Sequence, residues 1–151
     1  MAGRVVFFDL GDTLGVGRAG PGGSIAGFDP FPFATEILKR LKDPAPAGLG
    51  VRLGVISNTP TGTTAANMAA VLGAARVLSF FDPALLLYSS VEGLDKTQKA
   101  FFTLAASRAA TPPRRCVFVG EDPSERNVAS SAHFATALHP LHVFQVLKTL
   151  P

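Results

Sequence analysis

Cysteine, tryptophan and tyrosine are almost missing from this chain, and each scarcity closes off a class of protein. A single cysteine, Cys116, excludes an internal disulfide, and no Cys/His zinc spacing appears. Cys116 opens an apolar run, which suits a buried structural thiol better than a nucleophile. With no tryptophan, one tyrosine and the phenylalanines lying in apolar runs, the sequence offers no base-stacking platform. Charge is sparse too. Charged residues make up 17% of the chain and the net charge is +3. The basic residues are scattered from Arg4 to Lys148, with Lys39-Arg40 and Arg114-Arg115 as the only adjacent pairs, so no basic stripe marks a nucleic-acid partner. No apolar run approaches the ~18 residues of a membrane span. Arg4 and Asp9 bracket an N-terminal run too short for a signal peptide. The expectation is a soluble, cytoplasmic protein without membrane contact, one domain over residues 1–151, its oligomeric state open.

What the chain does have is a succession of apolar runs separated by helical patterns. Five segments read as strands: Arg4–Asp9, Val51–Ile56, Ala84–Ser89, Cys116–Val119 and Phe134–Leu138. Most are continuously apolar, as strands covered on both faces of a parallel sheet are. Phe33, Ile37 and Leu41, widened by Ala34 and Leu38, form a helical stripe before the second strand. Further helices are expected over Thr61–Leu72, with Gly73 as a stop, over Thr97–Ala109, ended by Pro112-Pro113, over Pro123–Ala132, capped by Asp122, and over Pro140–Leu150. Gly48-Leu49-Gly50 reads as a turn. The alternation predicts an α/β three-layer sandwich, a Rossmann-like, doubly wound, mainly parallel sheet. Gly15–Pro30 is Gly/Pro-rich and without periodicity, and reads as a mobile functional loop or as plain disorder.

The first strand stops at a carboxylate and enters a tight polar loop, Asp9-Leu10-Gly11-Asp12-Thr13. Asp9 and Asp12 could merely form a turn. Three further polar groups weigh against that. Ser57-Asn58 ends the second strand, Glu92-Gly93-Leu94-Asp95-Lys96 follows the third, and Gly120-Glu121-Asp122 ends the fourth. In an open α/β sheet these positions share the rim at which ligands bind. A carboxylate, a hydroxyl, an ammonium and an acidic pair there suit a phosphate and a divalent metal. Each also has a plainer reading. Ser57-Asn58 could be a polar turn, Lys96 a surface lysine with Lys99 as competitor, and Glu121 and Asp122 a favourable charge at a helix N-terminus.

Taken in order, these motifs resemble those of the haloacid dehalogenase superfamily, mostly magnesium-dependent phosphohydrolases on a Rossmann-like sheet, over nearly the whole chain. The resemblance implies Asp9 as nucleophile, Ser57 as the second-motif hydroxyl, Lys96 as the third-motif lysine, and Glu121 with Asp122 as fourth-motif metal acids. It implies Mg²⁺ on Asp9, the Gly11 carbonyl and one or both of those acids. Ser57, Asn58 and Lys96 would hold the phosphoryl oxygens of a phosphorylated small molecule or macromolecule. Glu125 matches the spacing of another family acid, though on a helix it could simply face water. Two departures stand out. Thr97 follows the lysine where the family usually has proline, and Gly11 stands where family phosphatases carry an acid–base aspartate, with Asp12 one place later. That substitution puts proton transfer in question and leaves open a catalytically weak or regulatory relative. Neither interval where relatives insert a cap domain has room for one, so the resemblance is to the capless branch, open to bulky partners or to a cap from another subunit.

Other readings fit less well. A dehalogenase would carry a cap and an aromatic residue at Gly11. Gly15-Val16-Gly17-Arg18-Ala19-Gly20 matches a dinucleotide fingerprint in letters, but Pro21-Gly22-Gly23 follows where a helix should begin. His139 and His142, flanking Pro140, read as structural or solvated.

Overall fold

The computed structural model describes residues 3–43 and 50–151; Gly48 and Leu49 of the expected turn lie outside them. From β1 (Val5–Phe8) the chain passes through β2 (Gly15–Ala19) and β3 (Ile25–Pro30) into α1 (Ala34–Lys42). Then come β4 (Arg52–Ser57), α2 (Ala65–Ala74), β5 (Leu86–Tyr88) and the single turn α3 (Ser89–Glu92). The last third holds α4 (Lys99–Arg108), β6 (Cys116–Val119), α5 (Pro123–Ser131), β7 (Ala135–Ala137) and α6 (Val143–Thr149).

The predicted five strands form one parallel sheet in the order β5-β4-β1-β6-β7. Alternation along β1 splits the core into two layers. Val5 and Phe7 pack with Phe101, Phe102, Phe118 and Phe134, while Val6 and Phe8 pack with Leu38, Leu41, Leu72 and Val143. Both faces are therefore covered by helices, which is why these strands read as unbroken apolar runs. Gly54 in β4 makes room for the Phe7 ring, since a Cβ there would come within 2.7 Å of it.

The segment expected to be an irregular loop is an antiparallel hairpin, β2 pairing with β3 from Gly15↔Pro30 to Ala19↔Ile25. Glycine at 15 and 17 removes the side chains whose alternation would have signalled a strand. Gly15 has a packing reason, because a Cβ there would lie 2.3 Å from the Asp29 carbonyl oxygen. Phe28 anchors the hairpin in the core, and an exposed Arg18–Asp29 ion pair at 2.9 Å ties its strands.

Helix ends shift by a few residues from expectation. Thr64 caps α2 in a reciprocal capping box with Asn67, so the helix begins after Thr61, and it runs through Gly73 to Ala74. A 3₁₀ turn, Pro140–His142, precedes α6. No helix among the described residues is long and apolar enough to cross a membrane.

The strand order places the site. β1 lies at the centre, the chain winds outward through β4 and β5, then returns to lay β6 on the opposite side of β1. The carboxyl end of β1 is thus the topological switch point, where a crevice opens.

Candidate active site

Asp9 follows β1 at that switch point, and its backbone N–H donates to the Val119 carbonyl at 2.9 Å, locking it to the end of β6. The residue is 6% exposed. Burial at a strand end demands a partner for the charge, and Lys96, 3% exposed, supplies it. Lys96 Nζ donates to Asp9 Oδ1 at 2.6 Å and stands 2.7 Å from Glu125 Oε1. The Phe118 ring lies under the ammonium, its centroid 5.9 Å away. The other carboxylate oxygen of Asp9, Oδ2, accepts the Thr13 hydroxyl at 3.3 Å. Lys96 faces two carboxylates, and Glu125 is held above the ordinary carboxyl range chiefly by burial, with the lysine opposing the shift.

The sequence brings Lys96 here through its backbone. The Asn58 side-chain oxygen accepts the Lys96 N–H at 3.0 Å, coupling the loop after β4 to the loop before α4. Hydroxyl contacts reinforce that junction: Thr59 N–H donates to Ser89 Oγ at 2.8 Å, and Ser90 Oγ donates to the Thr63 carbonyl at 2.6 Å. Ser57 is buried at the end of β4, its hydroxyl 3.3 Å from the Asn58 carbonyl. Asn58, expected at the phosphate, thus has its side-chain oxygen turned to the Lys96 backbone. Lys99, the competitor, is exposed on α4.

On the far side of Asp9, Asp122 caps α5, its Oδ1 accepting the Ser124 N–H at 2.7 Å and the Glu125 N–H at 3.4 Å. Glu121 is exposed. Gly120 lets β6 approach, since a Cβ there would meet the Phe118 ring at 2.7 Å and lie 3.7 Å from Asp9 Cβ. Among the described residues no three acidic, histidine or cysteine side chains converge into a ready-made metal cage. The oxygen donors near the rim suit a hard ion that retains waters and completes its shell on a ligand, as Mg²⁺ does with one or two carboxylates.

Gly11 and Asp12 invert what their backbones ask for. Gly11 does not adopt a positive φ, and a Cβ on it would meet nothing within 4 Å. Asp12, at φ 62°, occupies the left-handed region that glycine favours, and its side chain is exposed.

Thr13, four residues after Asp9, carries no role in the sequence reading, whereas Glu125 stands there either as a further family acid or as a residue facing water. Glu125 pairs with the buried lysine at 2.7 Å. Signals existed for both: a hydroxyl in the nucleophile loop, and an acid one turn into α5, the helix that Asp122 caps. Cys116 is the buried thiol expected, pushed up to about 12 by desolvation. His139 caps the turn before α6 by accepting the Leu141 N–H.

No family model matches this sequence, and no curated protein matches it. Solved structures do resemble it in fold. An uncharacterized protein from Corynebacterium glutamicum is 21% identical, with 98% of this chain and 96% of that one covered at a TM-score of 0.65. A HAD-superfamily hydrolase of subfamily IA from Geobacter sulfurreducens is 16% identical, with 97% and 100% covered at 0.70. A protein described as a phosphoglycolate phosphatase, from Lactobacillus plantarum, is 11% identical, with 97% and 100% covered at 0.67. Sheet order, switch-point carboxylate and these neighbours together identify the fold as that of the haloacid dehalogenase-type hydrolases.

Proposed function

We propose that this protein is a phosphohydrolase acting through an aspartyl-phosphate on Asp9, with Mg²⁺ as cofactor and without a cap domain. The observation that carries the reading is the buried contact of Lys96 Nζ with Asp9 Oδ1 at 2.6 Å, at the switch point of the sheet. A buried ion pair adds little net stability over apolar packing, so its presence at a ligand-binding rim argues for chemistry.

In this mechanism a free oxygen lone pair of the Asp9 carboxylate attacks phosphorus, the ester oxygen departs with the bonding pair, and water then cleaves the acyl phosphate at phosphorus to restore Asp9. Dividing one displacement into two is what a weak oxygen nucleophile can offer. Lys96 compensates charge on the phosphoryl oxygens in the transition state, and Ser57 donates to one of them. Thr13 and Glu125 fix the orientation of the nucleophile and of the lysine. Asp9, the Gly11 carbonyl and Glu121 or Asp122 would hold Mg²⁺, which when bound supplies positive charge to the transferring group.

Asp12 is the candidate proton carrier, since Gly11 cannot be one. The second reading, a phosphate-binding relative with little or no turnover, draws on that same glycine. Hydrolysis of p-nitrophenyl phosphate with Mg²⁺ separates the two: the hydrolase turns over and Asp9→Asn does not. No turnover, or equal turnover by both proteins, overturns the hydrolase reading.

A further inference from the structure

Lys96 reaches Asp9 on neither a strand nor a helix. It ends an arm, residues 89–96, that leaves the edge strand β5 and leads to α4. The arm starts with the single turn α3, closed by Gly93 at φ 72°. Ahead of Lys96 only Leu94 packs against a core cluster among the described residues, and Val91 is 46% exposed. Apolar burial therefore does little to fix the course of the arm, and hydrogen bonds are left to do it.

The grip comes from the loop after β4. The parallel register Ser57↔Tyr88 sets Asn58-Thr59 beside Ser89-Ser90, just beyond the sheet. Thr59 N–H donates to Ser89 Oγ at 2.8 Å, and that hydroxyl donates back to the Thr59 carbonyl at 3.3 Å. Ser90 N–H donates to Thr59 Oγ1 at 3.1 Å, and the Thr59 and Ser90 hydroxyls lie 2.6 Å apart. Each hydroxyl has one proton to give. Ser90 Oγ gives its own to the Thr63 carbonyl at 2.6 Å, so the Thr59 hydroxyl is the donor within the pair. Every polar group of Thr59 is thus engaged by two consecutive residues at the start of the arm. At its far end the Asn58 side-chain oxygen takes the Lys96 N–H at 3.0 Å. Neighbouring residues of one loop hold the arm at both ends.

We infer that Thr59 is a positioning residue: its clasp on Ser89 and Ser90 fixes the course of the arm and so sets Lys96 Nζ between Asp9 and Glu125, at 2.6 and 2.7 Å. Charge-assisted contacts of that length weaken steeply once distance or angle degrades, so a small shift of the arm is felt at the ammonium. The catalytic consequence rests on the phosphoryl-transfer reading; the placement of Lys96 does not.

Reductive methylation of the native protein with formaldehyde and cyanoborohydride, followed by peptide mapping, reads that placement without turnover. Lys99, exposed on α4, is the internal reference. In the parent, Lys96 should react more slowly than Lys99 by about tenfold or more, the factor that one hydrogen bond to a charged group is worth. Thr59→Val keeps the shape of the side chain and removes its hydroxyl; most of that protection should go, and Thr59→Ser should restore it. Lys42, which donates to the Ser79 carbonyl, should react alike in all three proteins, which separates a moved arm from a loosened fold. Should Thr59→Val fail to fold, Ser90→Ala takes its place, since it removes the hydroxyl link and keeps the Ser90 N–H contact. With p-nitrophenyl phosphate and Mg²⁺, Thr59→Val should lose about 10²-fold in kcat, the cost of a small misplacement, with KM little changed. A Lys96 that stays protected in Thr59→Val and in Ser90→Ala overturns the inference, whatever the melting temperatures do. Unmasking of Lys96 with kcat unchanged overturns it as well, because its placement would then be of no consequence to the reaction. Unmasking of Lys96 where the parent itself shows no turnover supports the clasp and removes the phosphatase reading instead.

Discussion

Two sides of Asp9 are built to different standards. Toward Lys96, Thr13 and Glu125 the groups are paired, Lys96 and Thr13 buried and Glu125 partly so, and reinforced by Asn58 and the hydroxyls of Thr59, Ser89 and Ser90. Toward Gly11 and Asp12 the loop is exposed, one residue has no side chain and the other stands in a backbone conformation suited to glycine. In the proposed phosphatase the first side would handle negative charge and the second the proton. On the proposed phosphatase reading the charge-handling groups are in place while proton transfer is left to an exposed residue or to water, a combination that predicts slow turnover.

The comparison breaks most severely at Lys96. Lys96→Met leaves Asp9 and Glu125 facing each other without their shared cation, so turnover should disappear and urea unfolding should show a loss of about 3–5 kcal/mol. A variant that folds as tightly as the parent and still turns over would show the buried half to be dispensable. Next comes the open side. Gly11→Asp has room for its side chain and an ordinary φ, so p-nitrophenyl phosphate turnover should rise about 10²-fold or more, the contribution of a placed acid–base group, with no loss of stability. An unchanged rate would mean that proton transfer does not limit this protein.

Beneath both sides lies the frame of the sheet, and its titration provides a control. Burial pushes Cys116 from 9.0 to about 12 and Tyr88 from 10.0 to about 12. Between those values the unfolded chain has lost the protons and the folded chain keeps them, so the unfolded state binds fewer and stability falls as pH rises from about 9 to about 12. Urea midpoints across that range should decline, and Cys116→Ser should flatten part of the slope. The smallest effect is expected at Asp12. Asp12→Gly relieves the left-handed backbone and should stabilise by no more than about 1 kcal/mol; if Asp12 carries the proton, turnover falls in the same variant.

Much of this was legible in the sequence because the relevant signals were periodic. The five strands carry side chains on both faces that cores require, and the polar residues that end them stand out against Val, Ile and Phe. What escaped reading lacked such contrast. The hairpin hides because Gly15 and Gly17 present no alternation. Thr13 is a hydroxyl in a polar loop, and Glu125, whose spacing matches a further family acid, could equally have faced water; the burial of Lys96 between two carboxylates decides for both. Asn58 was legible as polar but not as directed at the Lys96 backbone, since that contact spans 38 residues and depends on the relative placement of β4 and α4.

The claim at the centre is that Asp9 accepts the phosphoryl group. The direct test is rapid quenching during turnover of p-nitrophenyl phosphate with Mg²⁺, reduction of any acyl phosphate with borohydride, and peptide mapping of the product. With the proton-handling side incomplete, the intermediate should accumulate on Asp9 in the parent and persist only briefly in Gly11→Asp. Modification at a different residue, or continued turnover by Asp9→Asn, would contradict the account.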